Sequence, residues 1–111
     1  MGKKSPSAVL EVSGVRLEAA TRRVFRAGNE VELTSMEFDV LETLIRAAGR
    51  VVSRNEIFLR LFQREASPFD RSLEVHVSHI RKKLGGPPDL IRTVRGVGYQ
   101  FVRERVNTEK L

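Results

Sequence analysis

Apolar residues between Ala8 and Glu32 fall in short runs, at Val9, Val15, Leu17, Val24 and Val31 with Leu33 just beyond, broken at Gly14 and at Gly28-Asn29. Runs of this length between glycine breaks predict strands joined by tight turns, an antiparallel meander and not βαβ units. From Leu33 the period becomes helical. Thr34 and Glu37 have capping-box spacing: the hydroxyl accepts from the Glu37 amide, the carboxylate reaches back, and Leu33 and Phe38 bracket the cap as a hydrophobic staple. Leu41, Leu44, Ile45 and Ala48 follow at helical spacing, and Gly49 stands where a left-handed stop is wanted. Ser53 and Glu56 repeat the box, Val52 and Ile57 the staple, and Leu61 extends that second apolar face.

A third helix is predicted over about 68–84, with Pro68 in its first turn and Gly85-Gly86-Pro87-Pro88 as its stop. Leu90–Arg95 and Tyr99–Val102 are strand-like runs around Arg95-Gly96-Val97-Gly98, a predicted hairpin over 90–102. Strands, three helices and a closing hairpin make an α+β chain. This is the layout of a winged helix-turn-helix with an N-terminal four-stranded antiparallel sheet. Residues 1–7 are polar and aperiodic, a flexible linker; 8–105 form the domain, and 106–111 a C-terminal tail.

The third helix is the most informative element. At about 100° per residue with Leu73 at zero, Val77, Leu84 and Ile80 fall at about 40°, 20° and −20°, a narrow seam for the core. Arg71, Val75, Ser78, His79 and Lys82 lie opposite, with Ser72 just beyond. None of these is acidic; Asp70 and Glu74 sit on a flank, on the same side as Arg81. Short side chains there allow close approach to base edges, and long cationic ones reach guanine acceptors or phosphates. A basic outer stripe is also what a plain solvated face looks like. Val75 is the residue that reading least expects, whereas a thymine methyl offers it an apolar contact.

Charge agrees. Twenty Lys and Arg against fourteen Asp and Glu give +6 over 111 residues, which suits a polyanionic partner. A composition of 41% hydrophobic and 31% charged residues is that of one globular domain, not of a disordered chain. Without cysteine there is no disulfide, thiolate metal site or cysteine nucleophile. His76 and His79 lack an acidic or thiol partner at ligand spacing, so no metal site is expected. No apolar run approaches the roughly 18 residues that span a bilayer, and no signal peptide opens the chain; a soluble, intracellular domain without membrane contact is expected.

In the hairpin, Thr93, Arg92 and Arg95 lead into Gly96 and Gly98, a cationic tip able to approach another surface closely. An ordinary β-turn arginine is the bland alternative. Gly96-Val97-Gly98 is no phosphate-binding loop, since no helix follows. A basic protein of folded RNA shares the charge, but it favours exposed aromatics, and aromatics are only 6% here. A winged helix devoted to protein contacts remains a third class. Enzyme function is not expected: there is no nucleophile–base pair, paired carboxylate set or P-loop, and no cofactor is implied.

Three blocks carry a family resemblance. Leu33–Leu41 with Arg50–Glu56, then Asp70–Leu84, then Ile91–Tyr99 resemble, in this order and spacing, the helical core, recognition helix and wing of OmpR/PhoB-type response-regulator effector domains. The likeness covers nearly all of residues 8–103, and Ser67–Arg71 is most similar to the CpxR-like members. It implies a sequence-specific double-stranded DNA-binding domain of a bacterial, cytoplasmic two-component transcription factor, with the third helix in the major groove and the wing on the minor groove. Carried over by position, its contacts fall on Arg71, Ser72, Val75, His76, Ser78, His79, Arg81, Thr93 and Arg95, beside Lys82 from the helical face. Members often have arginine where this chain has Ser78 and His79. The segment from Phe62 to Phe69 matches one that some members use to touch RNA polymerase, here with Arg64 and Glu65. The resemblance also implies a monomer that pairs head-to-tail on direct repeats. A sensor kinase would act only through a receiver domain, and these residues contain none; Asp39 and Asp70 are expected in helices, not as phospho-acceptors.

Overall fold

A computed structural model describes residues 8–86 and 89–103. The expected linker 1–7 and tail 106–111 lie outside the described residues, as do Pro87 and Pro88 of the predicted helix stop. Strands β1 (Val9–Val12), β2 (Val15–Glu18), β3 (Arg23–Arg26) and β4 (Asn29–Val31) form an antiparallel four-stranded sheet in sequence order. Two of its hairpins turn on residue pairs with both φ positive, Ser13-Gly14 and Ala27-Gly28, the backbone of a type I′ turn whose twist matches the strands. The second break therefore falls one residue earlier than Gly28-Asn29, and Asn29 opens β4.

Pairing Leu10 with Leu17 and Val12 with Val15 turns Leu10 and Val12 toward the core and leaves Val9 half exposed on the outer face. The alternation in β1 thus runs in the opposite phase to the one centred on Val9. A strand's side chains change face with a one-residue slip, and β1 has apolar residues in both phases.

Helix α1 (Ser35–Arg46) begins on the complete predicted box: the Glu37 amide donates to Thr34 Oγ1 at 3.2 Å, and the Thr34 amide to Glu37 Oε1 at 3.0 Å. Its C-cap is Ala47; Gly49, at φ +88°, lies past it and donates its amide to Phe101 O. Helix α2 (Arg54–Phe62) has half of its box. Ser53 Oγ accepts from the Glu56 amide, but the Glu56 carboxylate turns to Arg50 at 3.1 Å.

Between these helices lies a strand that the pattern does not predict, β5 (Val51–Ser53). It pairs with β7 (Gly98–Phe101), itself paired with β6 (Ile91–Val94), so the hairpin is two strands of a three-stranded sheet. Gly98 pairs with Ser53 of β5 so closely that a Cβ there would stand 2.0 Å from Val52 O and 2.8 Å from Ser53 Cα. Helix α3 is Ser72–Leu84, four residues shorter at its start than the predicted 68–84. Pro68 sits instead in a turn closed by the Asp70 amide on Ser67 O, where its fixed φ suits the second turn position. Asp70 precedes the helix and accepts the Ser72 amide at 2.9 Å.

The core joins Phe38, Leu41, Leu44 and Ile45 of α1 to Ile57 and Phe58 of α2 and to Leu73, Val77, Ile80 and Leu84 of α3. The inner faces of the sheets, through Val15, Leu17, Val24, Ile91, Tyr99 and Phe101, close it on either side.

Candidate nucleic-acid interface

Because its whole apolar seam is buried, α3 turns the opposite face outward. Arg71, Val75, Ser78, His79 and Lys82 are exposed on it, Ser72 and His76 are half-buried at its margins, and Val75 keeps 48% of its surface. Among the described residues the side chains of Arg71 and Lys82 make no hydrogen bond or ion pair. Apolar surface on an otherwise polar, cationic ridge wants a partner with an apolar spot of its own.

Beside the start of α3 stands the β6–β7 tip, with Arg95, Gly96 and Val97 exposed. The Val97 amide closes the turn on Val94 O, and Val97 O accepts the Arg54 amide at 2.9 Å, which ties the tip to the start of α2. A cleft of about 570 Å³ runs between tip and helix, walled by Arg54, Arg71, Glu74 and Thr93 to Tyr99. The Arg95 side chain, like that of Arg71, has no hydrogen-bonded or ionic partner among the described residues. Arg71 and Arg95 thus face one cleft from two elements.

Thr93 is exposed and Arg81 half-buried, and the two are bonded to each other. The Arg81 guanidinium bonds Ile91 O at 2.8 Å and Thr93 Oγ1 at 2.7 Å, lashing α3 to β6. Its inward turn follows from its place on the flank of the helix, next to the sheet.

The flanking acids are neutralised from inside. Arg54 Nε meets Glu74 Oε2 at 2.8 Å, Nη1 meets Ser67 O at 2.9 Å, Nη2 bonds Asp70 O, and the guanidinium covers the Phe58 ring. Burial raises the Glu74 carboxyl, but Arg54, its own backbone amide and the charge of Arg71 together hold the group below its ordinary value. Arg64 at 2.8 Å and Ser72 hold Asp70 well below the carboxylate range. Arg54 escapes notice in the sequence because nothing local marks its partner, which lies twenty positions on.

A second missed group is Glu37, with 2% of its side chain exposed. Burial would raise it, yet Lys83 Nζ at 2.7 Å, the Thr34 amide and His79 hold it below the usual value. Its other oxygen, Oε2, faces His79 Nδ1 at 3.4 Å.

In the loop before α3, Arg64 is occupied by Asp70 and by the rings of Phe58 and Phe62, while Glu65 is exposed. Phe69, not singled out in the sequence, is 90% exposed there. Among the described residues no cluster of three or more His, Asp or Glu could hold a metal ion, and no helix is long and apolar enough to cross a membrane.

Residues 28–101 match the family described as "Transcriptional regulatory protein, C terminal". The chain is similar to the transcriptional regulatory protein CutR of Streptomyces coelicolor, 42% identical over 93 residues, covering 84% of this chain and 42% of CutR. The chain therefore spans about two-fifths of the length of that curated relative. Among solved structures it is similar to the DNA-binding domain of CpxR from E. coli, with a TM-score of 0.77 at 33% identity, covering 87% of this chain and 98% of that one. The chain is also similar to the Klebsiella pneumoniae RstA DNA-binding domain in complex with the RstA box, with the same TM-score of 0.77, 30% identity, and coverage of 85% and 96%.

Proposed function

The chain belongs to the family of transcriptional regulatory protein C-terminal domains, of the OmpR/PhoB response-regulator type, and from that membership we propose that it binds specific sites on double-stranded DNA to control transcription. In this reading α3 enters the major groove and the β6–β7 tip lies on the minor groove or backbone. Arg71 and Val75 read base edges, with Ser72, His76, Ser78 and His79 along the same ridge. Lys82 and Arg95 neutralise phosphates, and Arg81 with Thr93 holds the wing in register with the helix. The carrying observation is that α3 and the wing tip present Arg71, Lys82 and Arg95 without internal partners among the described residues, on a face whose neighbouring acids are already paired.

Finer features belong to the same proposal. The isolated domain is a monomer that pairs head-to-tail on direct repeats. The loop before α3 offers Glu65, with Arg64 beside it, to RNA polymerase. The whole regulator is a bacterial cytoplasmic protein, and its kinase acts through a receiver domain outside these residues.

Selection of bound oligonucleotides from a random duplex pool tests the reading. A defined motif is expected, and duplex DNA should outcompete folded RNA. Recovery of sequences without a motif, or tighter binding to RNA, would contradict it.

A further inference from the structure

One residue holds the start of α3 and the tip of the wing at the same time. Arg54, the first residue of α2, meets the wing with its main chain. Its amide donates to Val97 O at 2.9 Å, and Gly98 lies so near that a Cβ there would stand 2.9 Å from the Arg54 nitrogen. Its side chain reaches the other wall of the cleft. Nε donates to Glu74 Oε2 on α3 at 2.8 Å, Nη1 to Ser67 O at 2.9 Å, and Nη2 to the carbonyl of Asp70, the residue before Arg71. The gripped turn is closed on itself by the Asp70 amide on Ser67 O, and the Phe58 ring backs the guanidinium at 4.9 Å. Arg81 fastens α3 to β6 at a second point, through Ile91 O and Thr93. Of the two fastenings, Arg54 is the one that lines the cleft with Arg71 and Arg95.

A cation lining the cleft also has the chemistry of a phosphate contact. Its bonds argue against that role: all three guanidinium nitrogens already have oxygen acceptors, and the side chain is 23% exposed. Arg71 and Arg95, on the two walls, have no such acceptors among the described residues. We propose that Arg54 is a positioning residue that fixes the spacing between Arg71 and Arg95, so that the two free cations engage one duplex together. It rests on the proposed reading, in which α3 and the wing bind the same DNA.

Rigid spacing has a measurable signature. When the walls are held, a duplex seated against one cation is already placed for the other, and no further ordering is needed at the moment of binding. Each cation then strengthens the other's contact, so removing the second costs less once the first is gone. With the clasp undone, the two contacts become independent.

The experiment is a double-mutant cycle of Arg71→Ala and Arg95→Ala on the selected duplex, run in the 111-residue chain and again with Arg54→Lys or Arg54→Gln. In the parent, the loss on removing both cations should fall short of the product of the two single losses by about threefold or more. In both Arg54 variants that product should hold to within about twofold, and duplex affinity should drop by the factor of coupling lost. Lysine keeps the charge but is a single point, unable to span Glu74, Ser67 and Asp70 as the planar fork does. A merely structural role would scale all four members of the cycle alike and leave the coupling in place. A phosphate contact would let lysine restore the parent affinity.

Single losses that simply multiply in the parent, coupling that survives in Arg54→Lys, or parent affinity in that variant each overturn the proposal. If Arg54→Gln fails to fold, Arg54→Lys, with its charge intact, still decides. Failure of the DNA reading shows separately: Arg71→Ala and Arg95→Ala would then bind every duplex like the parent chain, and the clasp would have no role in recognition.

Discussion

Arginines of the N-terminal sheet and arginines of the α3–wing face meet opposite fates. On the sheet, Arg16 pairs with Glu18, Arg23 with Glu30 and, just before β3, Arg22 with Asp39, at 2.9–3.0 Å. Around α3 the pairing is selective. Arg54, Arg64 and Arg81 are bound to interior or loop partners, while Arg71, Lys82 and Arg95 have none among the described residues. Cations of the same chemistry thus become scaffold in one place and a free field in the other. Pairing of the sheet arginines leaves Arg71, Lys82 and Arg95 as unpaired cations on one ridge and one cleft among the described residues.

The severest perturbation should be Gly98→Ala, which forces a Cβ into the β5 backbone and detaches the wing from the helices. A loss of about 3 kcal/mol or more in chemical denaturation is expected, with binding lost along with the fold. Arg71→Ala removes a free cation and should leave the melting temperature unchanged. It should weaken binding to the selected duplex by about 1–3 kcal/mol and relax preference at one base pair, as measured by titration against single-base variants.

Arg95→Ala should weaken all sequences evenly and lower the salt slope by about one, a signature of phosphate contact. Acid unfolding separates the paired class. Glu37 is held below its ordinary value in the native state. Its contribution is therefore complete above the carboxylate range and is lost as pH falls through the native value. Glu37→Gln should flatten the acid limb of the stability curve by lowering its neutral plateau toward the acid value, as read from denaturant unfolding across pH.

The elements carrying these fates differ in how far they show in the sequence. The α1 cap and the α3 seam are local: a box four residues wide and an apolar stripe at 3.6-residue spacing survive any tertiary context, and both stand as read. Strand β5 is three residues long, too short for alternation to declare itself, and Val52 fits a helix staple equally well. Helix α3 starts at Ser72 and not at Pro68 because Pro68 suits the first turn of a helix and the second position of a β-turn alike. What decides is the Asp70 amide reaching Ser67 O.

For the site, the ridge residues Arg71, Val75, Ser78, His79 and Lys82 are readable from helical phase. The inward turn of Arg81, the Arg54 clasp and the Glu37–His79 contact depend on partners ten, twenty and forty-two positions away, and only folding brings those together. Nothing in the spacing of the basic residues distinguishes a cation that will find an acid from one that will not.

The division between bound and free cations is best tested by the salt dependence of duplex binding. On one selected duplex, Arg71→Gln/Lys82→Gln/Arg95→Gln should lower the slope of log affinity against log salt by about 0.9 for each phosphate no longer neutralised. Arg16→Gln/Arg23→Gln, which removes an equal kind of charge from the sheet, should retain the parent slope. Equal changes in the two variants, or a parent slope in the first, would mean that the unpaired ridge is not where this protein meets nucleic acid.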